Sequence, residues 1–537
     1  MSGSRGGWAL LLAAVFVAAW LYAPGFAGYW MGDDFANLHT AHVWQQESAI
    51  RQGLVEQWTG SVSAGAAFLR PLIMTSLLGN YLLAGADYGG WYLYGFALHL
   101  ACVALLAALG LRLAASAGVD GRWSAALGAA LFGLCPFTAE AVYWVSARSD
   151  VSVTFFVLLG LLLWVDPQRT GRPWAWGLPL CLLPALLFKE SAALAPLQAA
   201  LLWLALPSLR DRPRSLALLV AGVLALAFLL WRALLFGDLW QVYGGDETAV
   251  SALAKLQQAL LSLPAWLDGW SGGRLAWGVA YLGALALALV LAVPAAPARW
   301  PALASLLAAG GALLATLANL GALRGNGEGG RLLHSASAWL ALAVVLACAR
   351  LPAVLGARTG MVVRAVALAA VIVGAGLLHA HLQQAWTARA TLARITAALP
   401  QLVADDPGPV LLLVPDHIGP VVAFRNAQAA MVLRPVQAQG LIDRILPALP
   451  DELPLRHAQF SAGWMNVLRA ARMQHWPPAP LPDPPADQPP LWPRRIACWS
   501  HRDAAIAQFA APIPDDAAQW SAMILADARA AGCLVPA

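Results

Sequence analysis

Gly28-Tyr29-Trp30-Met31-Gly32-Asp33-Asp34-Phe35-Ala36-Asn37-Leu38 decides the fold, because a hydrophobic run ends there and two adjacent carboxylates follow at once. Residues 8–28 form an apolar run after Arg5, which fits a signal peptide or a first transmembrane helix. The remainder of the chain favours a retained helix with its N-terminus in the cytoplasm. Hydrophobic residues make up 60% of the 537 and charged residues only 11%, where a soluble domain carries roughly 25% charge. The composition is that of a polytopic membrane protein whose first partner is the lipid bilayer. The formal net charge of +5 carries little information by itself and does not point to nucleic acid; what matters is which loops hold the cations.

Residues 29–90 are too polar in their first half to span and read as one long external loop, with Phe68 to Ala86 lying at the interface. Spans follow at 91–111, 123–139, 150–165, 174–188, 191–207, 215–236, 276–293, 301–321, 333–349 and 362–382. Alternate turns collect the arginines: Arg112 with Arg122, Arg169 with Arg172, then Arg210, Arg212 and Arg214, then Arg299, then Arg350, Arg358 and Arg364. By the positive-inside rule those turns are cytoplasmic. The expected architecture is an all-α membrane domain of about 11 helices, each near the ~20 residues needed to cross the hydrocarbon. Leu256 to Leu267 reads as an interfacial helix.

This membrane domain is expected over residues 1–383, with a small external α/β domain over 384–537. Val410-Leu411-Leu412-Leu413-Val414 reads as a buried strand and Arg495-Ile496-Ala497-Cys498-Trp499 as another. A helix is expected after Asp515 and Asp516, ending at Gly532, and the stretch from Pro477 to Pro493 is rich in proline. Four cysteines sit in apolar runs as packing residues; Cys498 and Cys533 lie outside them and are either a disulfide, if that region is outside the cytoplasm, or two free buried thiols.

In so apolar a chain the ionisable residues beside spans are the functional candidates. Asp33 and Asp34 follow the first helix; Glu140, Arg148 and Asp150 lie on the turn after the third; Lys189 and Glu190 tip a tight hairpin; Arg324, Glu328, Arg331 and His334 flank the penultimate external loop. The topology puts all of them on one side, where a lipid headgroup sits. Such a set suits transfer of a sugar from a polyprenyl phosphate, since the acceptor hydroxyl needs a carboxylate to take its proton and the departing phosphate needs fixed cations. A single displacement inverts the anomeric centre. Adjacent aspartates cannot easily both face one ligand, so one is the base and the other a helix cap or orienting group. No cofactor is required by this scheme, although paired carboxylates near a phosphate also suit Mg2+ or Mn2+.

Several stretches resemble the GT-C class of lipid-phosphate-dependent glycosyltransferases, in particular the membrane portion of protein O-mannosyltransferase-like proteins and their bacterial relatives. Gly32-Asp33-Asp34-Phe35 is similar to the acidic motif of that class's first external loop, and Phe68-Leu69-Arg70-Pro71-Leu72 to its downstream Arg-Pro-Leu element. The run from Cys135 to Asp150, with Thr138-Ala139-Glu140-Ala141-Val142 and Ala147-Arg148-Ser149-Asp150, is similar to a third motif, Phe188-Lys189-Glu190-Ser191 to a fourth, and Arg331 to Ser337 weakly to a fifth. The resemblance covers roughly residues 8–350. It implies a catalytic base at the acidic pair, Asp33 more than Asp34, with Arg70, Glu140, Arg148, Asp150, Lys189, Glu190, Arg331 and His334 as substrate-binding candidates. The implied partners are a polyprenyl-phosphate-linked sugar and a protein or glycan acceptor, met outside the cytoplasmic face of a bacterial inner membrane.

Blander readings attach to the same residues. The acid pair could simply be solvated and cap a helix; Lys189 and Glu190 could pair with each other; so could Arg148 and Asp150; Glu140 could bind the backbone of its own turn; His99 and His334 could be packing residues; and His417 beside Asp416 reads as surface loop. The Gly325-Asn326-Gly327-Glu328-Gly329-Gly330 run lacks the flanking strand and helix of a phosphate loop. A transporter or flippase for lipid-linked sugars would place charges at the membrane midplane and show an internal repeat; neither is visible. An inactive scaffold of the same fold is the third reading.

Overall fold

The computed structural model describes residues 3–533 except 47–49, 60–68, 166–171, 237–251, 295, 297, 321–323, 350–356, 405–408, 425–427, 443, 462–491, 494 and 511–515. Phe68, Arg169, Arg350, Asp515 and most of the proline-rich stretch lie outside the described residues.

Among the described residues eight helices are long and apolar enough to cross a membrane, and a bent pair, Arg122–Gly133 with Pro136–Tyr143, makes a ninth. Pro136 causes the 49° bend, because it cannot donate to the ladder and holds Cys135 extended at φ −70°, ψ 119°. The shorter apolar helices Gly177–Phe188 and Glu190–Ala205, which meet at Lys189, lie where two further passes are expected but are too short to count among the helices long enough to cross. The fold is therefore a polytopic helical bundle with a small strand region at its C-terminal end.

The segment expected as a long loop is itself helical, with Asp34–Gln46, Ile50–Thr59 and Pro71–Ala84. Proline opens the last of these at a position where its missing N–H costs nothing. The ambiguous stretch holds Ala252–Trp270, whose Trp266 and Trp270 stack on Phe137 at ring distances of 5.6 and 4.3 Å. The last apolar helix runs unbroken from Ala357 to Leu402, crossing the position at which the composition turns soluble.

Six strands follow among the described residues: β1 Val410–Leu413, β2 His417–Ile418, β3 Val421–Val422, β4 Ile445–Ala448, β5 Arg495–Ser500 and β6 Ala505–Ala510. The sheet order is β4-β1-β5-β6, with β1 parallel to both neighbours and β6 antiparallel to β5. All four residues of β1 are buried because both faces are covered. Leu411 and Leu413 meet Trp520 and Ile524 of the helix Ala517–Ala530, while Val410 and Leu412 join the core containing Ile395 and Leu399 of the long helix. Asp516 caps the last helix by accepting the Gln519 N–H at 2.7 Å, and Gly532 ends it at φ +73°. Cys498 of β5 is disulfide-bonded to Cys533 beyond that helix, which settles the two-thiol alternative in favour of the bond.

Candidate active site

The acidic stretch leaves the first helix through a short 3-10 turn, Ala23–Ala27, and turns into the next helix at Gly32. Gly32 has φ +48°, and a side chain there would begin 3.1 Å from the Trp144 indole and 3.3 Å from Val422. Its N–H donates to the Ala423 carbonyl at 2.7 Å, so the motif is gripped between the turn at Trp144 and the strand region. Asp34 follows as the first residue of its helix and is fully buried. Its Oδ1 accepts the Ser146 N–H at 2.8 Å and the Ser146 hydroxyl at 2.6 Å, while Oδ2 lies 3.4 Å from the Met31 N–H. Asn37 donates to the same hydroxyl at 2.8 Å. Burial pushes the Asp34 carboxyl up to about 6, with the Ser146 bonds and the nearby Arg389 charge pulling in the other direction. Asp33, one residue earlier, stays partly exposed.

Arg389 was not legible as a site residue. It lies in a stretch of ordinary soluble composition, beside Arg394, and nothing in its spacing marks it. In the fold it is fully buried, with Nε donating to the Tyr29 carbonyl at 2.6 Å, one terminal nitrogen to the same carbonyl, and the other to the Tyr143 carbonyl at 3.3 Å. Its guanidinium also sits 4.2 Å from the Tyr88 ring centroid. One cation thus ties the acidic stretch to the 136–150 motif.

The remaining charged candidates interlock in pairs that sequence proximity did not foretell. Lys189 Nζ donates to Asp150 Oδ1 at 2.6 Å, and Arg70 grips Glu190 through Nε at 2.9 Å and a second nitrogen. Lys189 and Glu190 therefore face different partners rather than each other, as extended backbone at Lys189 (φ −163°, ψ 140°) turns successive side chains to opposite sides. Arg148 does not pair with Asp150; it donates to Asn80 Oδ1 at 2.5 Å and the Val145 carbonyl at 3.1 Å, beneath Tyr94 at 4.6 Å. The second terminal nitrogen of this buried guanidinium has no hydrogen-bond partner among the described residues, and Arg148 packs with Trp91, Tyr92, Val142 and Trp144 around a gap too small for a water molecule.

Glu140 binds a different loop rather than its own turn. Oε2 accepts the N–H groups of Gly329 at 2.9 Å and Arg331 at 3.0 Å, and Oε1 accepts from the Arg331 guanidinium at 2.5 Å. Positive φ at Gly327 (+82°) and Gly329 (+102°) lets that loop wrap Trp270 and present its amides. Arg331 also lies 4.3 Å from the Trp144 ring centroid, on the turn that holds Asp34. His334 is not brought to this group. It is fully buried between helices, with Nδ1 2.9 Å from Thr154 Oγ1 and Nε2 3.3 Å from His99 Nδ1, the packing role weighed for both histidines.

Both oxygens of Glu140 and one of Asp34 are occupied by N–H or O–H donors, Asp150 faces Lys189, and no group of three possible ligands gathers among the described residues.

Acids and cations paired across distant segments of an apolar helical bundle mark a membrane protein whose motif order resembles that of the GT-C class of glycosyltransferases. No known family's model matches the chain. It is similar to protein O-mannosyl-transferase TMTC2 of Mus musculus, 31% identical over 127 residues, which is 22% of this chain and 15% of that one, and to the Homo sapiens protein of the same name to the same extent. The matched part is thus a small fraction of those relatives' length. Among solved structures, arabinofuranosyltransferase AftD from Mycobacteria aligns over 86% of this chain and 33% of that one, at 16% identity and a TM-score of 0.45. ArnT from Cupriavidus metallidurans, bound to undecaprenyl phosphate, aligns over 85% and 92%, at 15% identity and a TM-score of 0.45.

Proposed function

We propose that this chain is an inverting glycosyltransferase that moves a sugar from a polyprenyl-phosphate donor to a hydroxyl of a protein or glycan on the external face of the membrane. One observation carries the reading: the adjacent acids are divided by environment, Asp34 buried and fixed to Ser146, Asp33 partly exposed beside it. Asp34 orients and Asp33 is the base. The acceptor oxygen attacks the anomeric carbon as Asp33 takes its proton, and the bond from that carbon to the phosphate oxygen breaks on the opposite face. The polyprenyl phosphate leaves with the electron pair. Arg331, Arg70, Lys189 and the Arg148 guanidinium are each held in place before substrate arrives, so little reorganisation accompanies the growth of charge on the leaving group. No step is routed through a metal.

The arginine-rich turns support a cytoplasmic N-terminus in a bacterial inner membrane, and the Cys498–Cys533 bond supports an oxidising, periplasmic setting for an external domain beginning near residue 384. Purified protein mixed with a panel of polyprenyl-phosphate sugars, with donor consumption followed for wild type, Asp33→Asn and Asp34→Asn, tests the proposal. Equal turnover in all three sinks the assigned base, and no turnover of any donor alongside protein-dependent flipping in vesicles turns the reading to transport.

A further inference from the structure

The β2–β3 hairpin touches both halves of the candidate site. On one side the Ala423 carbonyl accepts the Gly32 N–H, Phe424 stacks on Phe35 at 5.6 Å, and Val422 closes over Gly32. On the other, His417 Nε2 lies 3.0 Å from Glu328 Oε2, in the loop that carries Arg331. His417 Nδ1 lies 2.9 Å from Asp416 Oδ2. Arg324 closes the cluster, its guanidinium 3.0 Å from Asp416 Oδ2 and 3.7 Å from Glu328 Oε2. The Glu328 carbonyl is held by Trp266 Nε1 at 2.7 Å, and the residues next along give their amides to Glu140. A histidine expected on a surface loop is instead the link between the strand region and the Glu140–Arg331 pair.

We propose that His417 is a positioning residue: through Glu328 it fixes the 324–331 loop against the hairpin that grips the acidic stretch, and so sets Arg331 in register with Asp33 and Asp34. This rests on the transferase reading of the site. Both ring nitrogens face carboxylates, and only the imidazolium has two N–H donors, so the full clasp forms with the ring charged. Loss of the proton leaves the ring a single N–H donor for two carboxylates, Asp416 and Glu328, which Arg324 also faces, and the Glu140 carboxylate adds to the negative charge near Glu328. The loop then loosens without any change in the acid pair itself.

The test uses the full chain in detergent or nanodiscs, with hydrogen exchange of residues 324–331 read between pH 5 and 8 alongside donor turnover. His417→Ala is expected to speed exchange at the Gly329 and Arg331 amides about tenfold, the size of one lost charge-assisted hydrogen bond, and to raise the donor KM more than it lowers kcat. His417→Lys, which keeps a charged donor, is expected to restore both and to flatten the pH dependence of loop exchange. Unchanged exchange in His417→Ala overturns the proposal whatever the turnover, and so does equal loosening in both variants. Faster exchange in His417→Ala reversed by His417→Lys, in a protein that consumes no donor, upholds the clasp and overturns the transferase reading instead.

Discussion

Asp34 and Ser146, 112 positions apart, are joined through a single carboxylate oxygen, which takes both the backbone N–H and the hydroxyl of the serine. That joint fixes the acidic stretch to the turn bearing Trp144 and Arg148, and it makes the two aspartates unequal. Asp33→Asn removes the proposed base without orphaning any group seen in the joint. Donor turnover should fall by about 10²–10⁴-fold, with the melting temperature in detergent lowered less than by a change at the buried Asp34. Asp34→Ala strands the Ser146 N–H and hydroxyl in a buried site and should cost about 1–3 kcal/mol of stability. A lowered melting temperature for Asp33→Asn with turnover intact would reverse the two roles.

The buried Asp34 carboxyl, raised to about 6 from 3.8, also makes stability depend on pH. Between those values the folded protein holds a proton that the unfolded chain has released. Stability therefore falls as pH rises across that window and levels off above it. Asp34→Asn, which does not titrate, should melt with a flatter profile between pH 4 and about 6. A wild-type profile that rises through that window would contradict the assignment.

Lys189 and Asp150 are both nearly buried, their side chains 12% and 10% exposed. Lys189→Met leaves an uncompensated carboxylate and should destabilise by about 3–5 kcal/mol, whereas Lys189→Met with Asp150→Leu should recover most of that loss. Turnover separates structure from binding: if Lys189 faces donor phosphate, the double variant regains its melting temperature but not its donor affinity. Recovery of both would leave Lys189 a purely structural partner.

The sequence exposed what is periodic or local. Apolar runs located the long helices, the Val410–Leu413 run announced a buried strand, and Asp516 and Gly532 bracketed the last helix. β4 escaped notice because Ile445-Leu446-Pro447-Ala448 contains a proline, which ordinarily argues against a strand. The partners of Lys189, Glu190 and Glu140 escaped for a different reason. Each lies 39 to 191 positions away, and charge type alone allows many pairings. Arg389 and His417 were hidden by composition, since both sit in stretches that read as ordinary soluble surface.

The Cys498–Cys533 bond closes a loop of 35 positions across the only face of the sheet covered by the last helix, where Trp520 and Ile524 pack on Leu411 and Leu413. Cys498→Ser with Cys533→Ser should therefore destabilise this region by about 2–5 kcal/mol, seen as earlier melting of the strand region in the full chain. Topology follows from the same pair. In cells with the outer membrane removed, a membrane-impermeant maleimide should label Leu455→Cys without lysis, because Leu455 is exposed in this region whereas Cys498 and Cys533 are buried. More than the four other cysteines titrating as free thiols in the denatured, unreduced protein would remove the oxidising setting. If lysis is needed before Leu455→Cys is labelled, the strand region faces the cytoplasm, and the acid pair it grips through Gly32 faces the cytoplasm with it.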